Sequence, residues 1–370
     1  MFDRVRGVFR RGPVAAAVAT FAMVCTACVE QDPDKQQSAL KAKGEAADKI
    51  LDLTTPFFWI AVVIGIGVVG ATVFLALKFR VKPGEERNPK QTHGNSTLEI
   101  SWTIVPALIL AVMGVFTVAS IFDLSAEPDD PDTVHINVVG KQWWWEYEYT
   151  DGDKFVTANE MHIPIDTPVY LTMTGQDVIH SFWVPNLAGK KDVVPGRTSY
   201  LTISGDEVGE YAGQCAEYCG LSHANMRLKV FVDSRDDYDA WVAKQRSKAS
   251  SALDSFVSDE TGLVARYGCQ TCHSFAPDTA NRGPNLTHLG DRTTFAGGTY
   301  DLTLENLTNW IYDAPSLKPM EIGPDPKAPR VGMPSFRKAF DMTKDEAREI
   351  ATSLLCDTSA RPENHEDVRC

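Results

Sequence analysis

The chain has 370 residues, a formal net charge of −13 and a hydrophobic content of 44%. A chain of this length is expected to fold into two or three domains, and its negative charge argues against nucleic acid as a partner. The hydrophobic residues are concentrated in a few stretches, and these stretches predict how the chain is organised.

The first 28 residues have the layout of a secretory signal peptide. Four arginines precede an apolar stretch at 13–24, and the sequence "CTAC" follows it. Cys28 resembles a lipoprotein processing site, although Cys25 stands where leucine is usual. Lipidation of Cys28, ordinary cleavage and retention of the segment as an anchor remain open. Residues 29–55 are predicted to form an outer N-terminal segment.

Two later stretches are long and apolar enough to cross a bilayer. Residues 56–77 and 100–122 carry no charged side chain, and a spanning helix needs roughly 20 apolar residues. We predict an α-helical membrane hairpin with spans at 56–78 and 100–122. The connecting loop, 79–99, is rich in lysine and arginine, so the positive-inside rule places it in the cytoplasm and everything from Asp123 onward outside.

The outer part begins with a predicted β-domain at 123–240. Proline and glycine punctuate short runs that are rich in β-branched and aromatic residues, and no helix-length periodicity separates these runs. The predicted strands are "VHINVVG", "WWWEYEYT", "PVYLTMTG", "SYLTIS" and "MRLKVFV". We expect a compact antiparallel β-sandwich or barrel.

A helix and linker, 241–257, lead to a predicted all-α domain at 258–357. The linker is small and polar near 247–254. Helices are expected in "DETGLVARYG", "LTLENLTNWIYD" and "TKDEAREIATSLLC", and the last of these is predicted to begin with a capping box between a threonine and a glutamate three residues later. Residues 358–370 are predicted to be a C-terminal tail.

The sequence "CAEYCGLSHANM", at 215–226, places two cysteines, a histidine and a methionine close together. Its spacing is compatible with a disulfide, a zinc site or a copper site. Zinc would need four closed ligands, and a mononuclear blue-copper site uses one cysteine. A second bridging cysteine is what a two-copper centre needs. His180, in "DVIHSFWVP", completes a candidate ligand set.

These residues resemble the dinuclear copper A domain of cytochrome c oxidase subunit II, and with both spans the resemblance covers about residues 50–240. It implies an all-β, cupredoxin-like Greek-key barrel that binds two copper ions. The implied ligands are His180, Cys215, Cys219, His223, Met226 and the backbone carbonyl of Glu217. By the same resemblance, the Glu217 side chain helps to bind magnesium at the boundary with subunit I.

Two further features resemble the same family. The sequence "QWWWEYEYT" resembles an aromatic motif through which electrons reach the copper centre, and the comparison favours Trp143 as the electron entry residue. Strand alternation alone would instead leave Trp144 exposed, and packing of the tryptophans inside the barrel is the structural alternative. Glu99, at the cytoplasmic end of the second span, matches a glutamate at the entrance of a proton path into subunit I; an interfacial anchor is the alternative.

The sequence "CQTCH" is the C-x-x-C-H pattern of covalent haem c attachment. Cys269 and Cys272 would form the thioether bonds, and His273 would be the proximal iron ligand. Met333 and Met320 compete as the sixth ligand, and we favour Met333 because it precedes a proline, as in small class I cytochromes c. The sequence "GPNL" resembles the loop whose proline carbonyl orients the proximal histidine in that family.

Of the eight cysteines, two belong to the export segment, two to copper and two to haem. Cys356 and Cys370 remain as candidates for a disulfide that fastens the tail, although spacing alone does not show this pairing.

The whole pattern resembles subunit II of a caa-type haem-copper oxidase with a fused class I cytochrome c. Such a subunit is expected in the bacterial cell membrane, with its copper and haem domains on the outer face. It would take electrons from a bc-type complex or a soluble cytochrome c and pass them to subunit I. Neither span contains a histidine, so oxygen reduction and proton translocation are assigned to subunit I.

Other classes of protein remain as alternatives. The copper A subunit of a nitric oxide reductase has a similar pattern, and only the partner subunit distinguishes it. A stand-alone membrane-anchored electron-transfer protein is a further alternative. A membrane-anchored copper-binding or thiol-redox protein accounts for Cys215 and Cys219 but not for "CQTCH" or Met333. Nitrous oxide reductase does not explain the two spans, and a quinol oxidase subunit is expected to lack the copper ligands.

Overall fold

Two long apolar helices open the part of the chain that the computed structural model describes, which comprises residues 37–81, 84, 91, 93–320 and 331–356. Helix α1 spans Glu45–Lys78 and helix α2 spans Ser96–Ser125. Both are long and apolar enough to cross a membrane by length and composition, and their apolar windows are not covered by the rest of the protein. The prediction of two apolar helices is confirmed.

Both helices are longer than the predicted spans. Helix α1 begins at Glu45 rather than at Pro56, with Glu45 and Asp48 in its first turn, where acidic side chains interact favourably with the helix dipole. Helix α2 begins before residue 100 because Asn95 caps it: the Asn95 side chain accepts hydrogen bonds from two backbone N–H groups of the first turn. The predicted signal peptide with Cys25 and Cys28, part of the predicted cytoplasmic loop and the predicted tail with Cys370 lie outside the described residues.

The β-domain consists of two five-stranded sheets packed around one core. Its strands are β1 (Val134–Lys141), β2 (Trp144–Tyr149), β3 (Phe155–Ala158), β4 (Glu160–Pro164), β5 (Val169–Gly175), β6 (His180–Trp183), β7 (Lys191–Val193), β8 (Ser199–Ile203), β9 (Gly209–Cys215) and β10 (Arg227–Asp233). The strand order is β3-β2-β1-β5-β8 in one sheet and β4-β10-β9-β6-β7 in the other. The large side chains of Trp145, Tyr147, Phe155, Phe182 and Tyr211 fill the space between the sheets.

The sheets are mixed rather than purely antiparallel, which corrects the sequence-based expectation. Strand β1 pairs in parallel with β5, and β4 pairs in parallel with β10. The cause is a crossover: after β3 the chain passes to the other sheet through the single residue Asn159, which has a φ of 65°, a conformation that asparagine tolerates better than most residues. The chain then returns to the first sheet beside β1 and in the same direction.

The C-terminal part has its own hydrophobic core, separate from that of the β-domain. Helix α3 (Arg235–Arg246) follows β10 and packs against the core of the β-domain through Tyr238 and Trp241. The helices of the C-terminal part are α4 (Ser251–Ser258), α5 (Leu263–Arg266), α6 (Leu304–Leu317), α7 (Phe336–Phe340) and α8 (Lys344–Leu355). The predicted capping box of α8 is confirmed, since the Thr343 and Glu346 side chains each bond the other residue's backbone N–H.

Two details of this part differ from the prediction. A short ladder of strands β11 (Thr294–Phe295) and β12 (Tyr300–Asp301) interrupts the helices, so the part is mainly helical rather than all-α. The expected linker at 247–254 is shorter than predicted, because the Ser250 side chain caps a helix that already begins at Ser251.

Candidate functional site

The neighbouring strands β6 and β9 bring His180 and Cys215 together. Phe182 of β6 pairs with Cys215, the last residue of β9, so His180 at the start of β6 lies beside the end of β9. The loop 216–226 begins after Cys215 and ends beside it, because the Cys215 backbone N–H donates to the Met226 carbonyl at 2.9 Å. Sheet pairing therefore joins residues that are distant in sequence with a local loop.

All five predicted ligand side chains converge on one buried point. The Cys215 and Cys219 sulfur atoms lie 3.8 Å apart, and the Cys215 sulfur lies 4.0 Å from Nδ1 of His180. The Cys219 sulfur lies 3.7 Å from Nδ1 of His223 and 3.8 Å from the Met226 sulfur. The backbone carbonyl of Glu217 lies 3.2 Å from the Cys215 sulfur, whereas the Glu217 side chain is exposed.

The two cysteines are thiols rather than a disulfide. Both are free and buried, and their sulfur separation of 3.8 Å far exceeds the roughly 2 Å of a disulfide bond. The hydrogen bond with Cys219 lowers the pKa of the Cys215 thiol to about 3, and the same interaction raises the pKa of Cys219. The lowered pKa favours the thiolate form of Cys215, and a bound metal cation would favour the thiolate form of both cysteines.

The donor set fits a dinuclear soft-metal site. Two thiolates, two imidazoles, one thioether and one carbonyl oxygen exceed the four donors of a structural zinc site. The second sulfur ligand likewise exceeds the single cysteine of a mononuclear blue-copper site. The chemistry of these residues therefore fits two copper ions, which these side chains and the Glu217 carbonyl would hold.

Polar side chains that the sequence analysis missed support the ligands. Nε2 of His180 bonds Oδ1 of Asp177 at 2.8 Å, which leaves Nδ1 facing Cys215. The side chains of Gln142 and Trp143 both donate to the Cys219 carbonyl, at 2.6 and 3.0 Å. The only available signal for Asp177 was its position three residues before His180.

The aromatic motif differs from strict strand alternation. Trp143, Trp144 and Trp145 are all buried, so the expectation of an exposed Trp144 is wrong. The Lys141 ammonium lies 4.8 Å above the Trp144 ring and donates to the carbonyl of Asn281 in the C-terminal part. The C-terminal part thus covers the face that alternation leaves open. Trp145 packs inside the barrel, as the structural alternative predicted for at least one tryptophan.

A second candidate site is a cavity of about 900 Å³ between the β-domain and the C-terminal part. Cys269, Cys272 and His273 line it, and both cysteines are free thiols. Nδ1 of His273 lies 2.8 Å from the Pro284 carbonyl, which makes this nitrogen the donor and leaves the lone pair of Nε2 available to a ligand in the cavity. Burial lowers the pKa of His273 and favours its neutral form.

The two competing methionines have different surroundings. Both line the cavity, and the Met333 backbone N–H donates to the Met320 sulfur at 3.1 Å. Met320 packs against the core of the β-domain, whereas Met333 packs against the core of the C-terminal part. This difference favours Met333 as the ligand that belongs to the same domain as His273.

The cavity reaches the aromatic motif next to the metal site. Trp143 and Trp144 line it from the β-domain side. Trp143 also donates through its indole to the Cys219 carbonyl at 3.0 Å. One residue therefore contacts both candidate sites.

The remaining predicted residues lie elsewhere. Glu99 is in the first turn of α2 and accepts a hydrogen bond from the Asn95 backbone. At 1.5 Å per residue, Glu99 lies roughly 40 Å along the helix from Ser125. It is therefore at the end of α2 that is far from the β-domain. Cys356 is disulfide-bonded, and its pairing with Cys370 stays a prediction because Cys370 lies outside the described residues.

The fold and the site together define a membrane-anchored protein with an external cupredoxin-like domain. The transmembrane-domain model of cytochrome c oxidase subunit II matches residues 35–119, and the periplasmic-domain model matches residues 153–233. The chain belongs to the cytochrome c oxidase subunit II family, and the members of this family are parts of an oxidoreductase complex that work with subunit I. A copper A site is expected in this family.

Individual proteins are also similar to this chain. Cytochrome c oxidase subunit 2 of Alkalihalophilus pseudofirmus is 35% identical over 295 residues, which cover 79% of this chain and 86% of that protein. The same subunit of Bacillus subtilis is 34% identical over 301 residues, 76% of this chain and 84% of that protein. The crystal structure of the periplasmic domain of cytochrome oxidase subunit II of Bradyrhizobium japonicum is 31% identical and covers 32% of this chain and 95% of that chain, with a TM-score of 0.30.

Proposed function

We propose that this chain is the electron-input subunit of a bacterial respiratory cytochrome c oxidase, with a fused cytochrome c domain of the caa type. The observation that carries the proposal is the position of Trp143, which lines the cavity of the "CQTCH" motif and donates to the Cys219 carbonyl. Copper ions and a haem c, when bound, would each supply a carrier of single electrons. The chain itself would hold these two carriers on either side of one tryptophan.

The proposed metal ligands are those that converge in the β-domain, and the proposed copper domain is 123–240. They are His180, Cys215, Cys219, His223, Met226 and the Glu217 carbonyl. The proposed haem domain is 258–357, with Cys269 and Cys272 for attachment and with His273 and Met333 as iron ligands. We also propose magnesium at the exposed Glu217 side chain and a proton entrance at Glu99.

The match with the A. pseudofirmus subunit supports an oxidase function for the C-terminal part. Residues 1–233 can supply at most 233 aligned positions, and the match extends over 295. The similarity therefore continues into the C-terminal part, where the haem motif lies. The proposed electron donor is a bc-type complex or a soluble cytochrome c, and subunit I would reduce oxygen and translocate protons.

The proposal is tested by metal and haem analysis of the full chain, purified from a host that attaches haem c. Two copper ions and one covalent haem per chain are expected, together with a near-infrared copper band and a mixed-valence copper resonance. Cys219→Ser should remove the copper signals and keep the haem, and Cys272→Ser should leave the copper intact. A wild-type chain that binds haem but takes up no copper would exclude the oxidase function.

A further inference from the structure

Lys318 connects the two domains at the place where they enclose the cavity. It follows the last residue of α6, and only 4% of its surface is exposed. Its ammonium donates to the Trp143 carbonyl at 2.8 Å and to the Ala296 carbonyl at 2.7 Å. Trp143 belongs to the β-domain and Ala296 to the C-terminal part, so one cation bonds both sides of the junction.

Gly297 lies directly against the ammonium of Lys318 and the carbonyl of Trp143. A Cβ atom on Gly297 would lie 2.6 Å from the Lys318 nitrogen and 2.7 Å from the Trp143 carbonyl oxygen. The φ of Gly297 is +75°. The Gly297 carbonyl accepts from the Arg227 backbone N–H at 2.8 Å. The segment 296–297 therefore also contacts Arg227, which follows Met226 and lies beside the candidate metal site.

A second contact is made by Ser222, which lies within the loop 216–226 that carries most of the candidate metal ligands. The Ser222 hydroxyl donates to the carbonyl of Pro319, the residue after Lys318. Ser222 is buried and directly precedes His223. The segment 318–319 therefore contacts both the aromatic motif and the loop that carries the metal ligands.

The buried ammonium of Lys318 has a cost that the fold tolerates. Among the described residues its hydrogen-bond partners are backbone carbonyls rather than a carboxylate. Desolvation of the buried ammonium opposes folding, and a negative charge on nearby Cys219 offsets part of this effect. Burial accordingly lowers the pKa of Lys318 to about 7. An apolar side chain of similar shape would stabilise the junction at least as well as a buried ammonium. The presence of Lys318 therefore indicates that it positions its hydrogen-bond partners.

We propose that Lys318 is a positioning residue that holds Trp143 against the cavity and thereby sets the rate at which electrons pass between the haem domain and the copper domain. This inference rests on the proposed function. Lys318 itself gains and loses no electron: one electron leaves the carrier in the cavity, and the same electron arrives at the carrier held by Cys215 and Cys219. The two hydrogen bonds of its ammonium hold the Trp143 backbone beside Ala296 of the C-terminal part.

The test compares Lys318→Met, Lys318→Arg and the control Lys338→Met in the complete oxidase. Met keeps the length of the side chain and removes both hydrogen bonds, Arg keeps a cation with donors, and Lys338 is exposed on α7. After rapid reduction of the haem domain by light, electron transfer to copper is expected to slow about tenfold or more in Lys318→Met, since small displacements of reacting groups have large effects on rate. Arg should restore part of the rate, and the control should match the wild type.

A readout without metals separates this inference from the proposed function. In the chain prepared without copper and haem, hydrogen–deuterium exchange of the peptides around Trp143 and Ala296 should be faster in Lys318→Met than in the control. Unchanged exchange together with an unchanged electron-transfer rate would overturn the inference. If Lys318→Met does not fold, Lys318→Gln takes its place under the same criteria. A wild-type chain that binds no haem would refute the proposed function, while the exchange result would still decide whether Lys318 positions Trp143.

Discussion

Asp177 determines which nitrogen of His180 faces the metal site. Its carboxylate bonds Nε2 at 2.8 Å and accepts the Gln142 backbone N–H at 2.7 Å. Asp177→Asn keeps the shape but removes the charge that orients and polarises the imidazole. Because loss of such outer partners typically lowers metal affinity by about 10–100-fold, we expect copper affinity to fall within this range in a titration of the full chain with Cu(I) competitors.

The matched control for Asp177 is Asp192→Asn, an exposed aspartate on the neighbouring strand β7. This variant should bind copper as the wild type does. Equal affinities for both variants would mean that His180 is oriented by the sheet alone and that Asp177 has no influence on the site.

Single residues show why the convergence of the candidate ligands was predictable and the burial of Trp144 was not. Four of the ligand side chains lie in one short loop, where the spacing of cysteine, histidine and methionine already limits the chemistry. The cover of Trp144 comes from Lys141 and from Asn281 in another domain. The alternation of side chains along one strand does not predict that a segment more than a hundred residues later will cover that strand.

At the scale of elements, the capping box of α8 gives a prediction about pH. Hydrogen bonds from the Thr343 backbone and hydroxyl, with Arg266 nearby, lower the pKa of Glu346 to about 2 from an ordinary 4.5. A depressed carboxyl pKa stabilises the folded state fully above the unfolded value, and this contribution is lost as the pH falls from about 4.5 to about 2. Glu346→Gln should therefore weaken α8 near neutral pH and have little effect near pH 2.

Amide hydrogen exchange of α8 in the intact chain measures this effect. At about pH 6, protection should drop severalfold in Glu346→Gln, because its first turn loses the ionised acceptor. Glu349→Gln, at an exposed position of the same helix, should keep the wild-type protection. A difference between wild type and Glu346→Gln that persists at about pH 2 would show that packing, rather than the charge, is responsible.

The elements that were predicted have a local sequence signal, and two of the strands that were missed have almost none. The capping pair of α8 is visible in sequence, and strands β1, β2, β5, β8 and β10 are rich in β-branched or aromatic residues. Strand β9, "GEYAGQC", and the three-residue β7 have little intrinsic strand preference. They are strands because neighbouring strands pair with them, and this pairing also places Cys215 beside His180.

At the scale of the whole molecule, a buried carboxylate joins the two outer domains. Glu160 of β4 is 3% exposed. It accepts hydrogen bonds from the backbone and hydroxyl groups of both Thr293 and Thr294 in the C-terminal part, with Oε1 at 2.7 Å from the Thr294 nitrogen. Burial lowers the pKa of nearby Arg292 to about 10, and the charge of Glu160 opposes that shift. The docked arrangement is thus held by polar groups that would lose their partners on separation.

These contacts bear on the short linker between α3 and α4. A flexible tether raises the effective concentration of the attached domain to about the mM range, so even moderate contacts keep the domain docked. Lys244 of α3 also forms an ion pair with Asp291 at 2.5 Å. How often the C-terminal part is released from the β-domain would depend on the free energy of these polar contacts.

Glu160→Gln is expected to weaken docking by about 2 kcal/mol, because hydrogen bonds to a charged acceptor are replaced by bonds to a neutral one and the new amide N–H groups face other donors. Hydrogen–deuterium exchange of the β11 segment in the intact chain measures the population of the open state, which should rise by more than tenfold. Glu207→Gln removes a surface ion pair with Lys43 and should change docking by less than about 1 kcal/mol. If both variants opened equally, the domains would be held by shape and apolar contact, and the buried carboxylate would be a passive part of the interface.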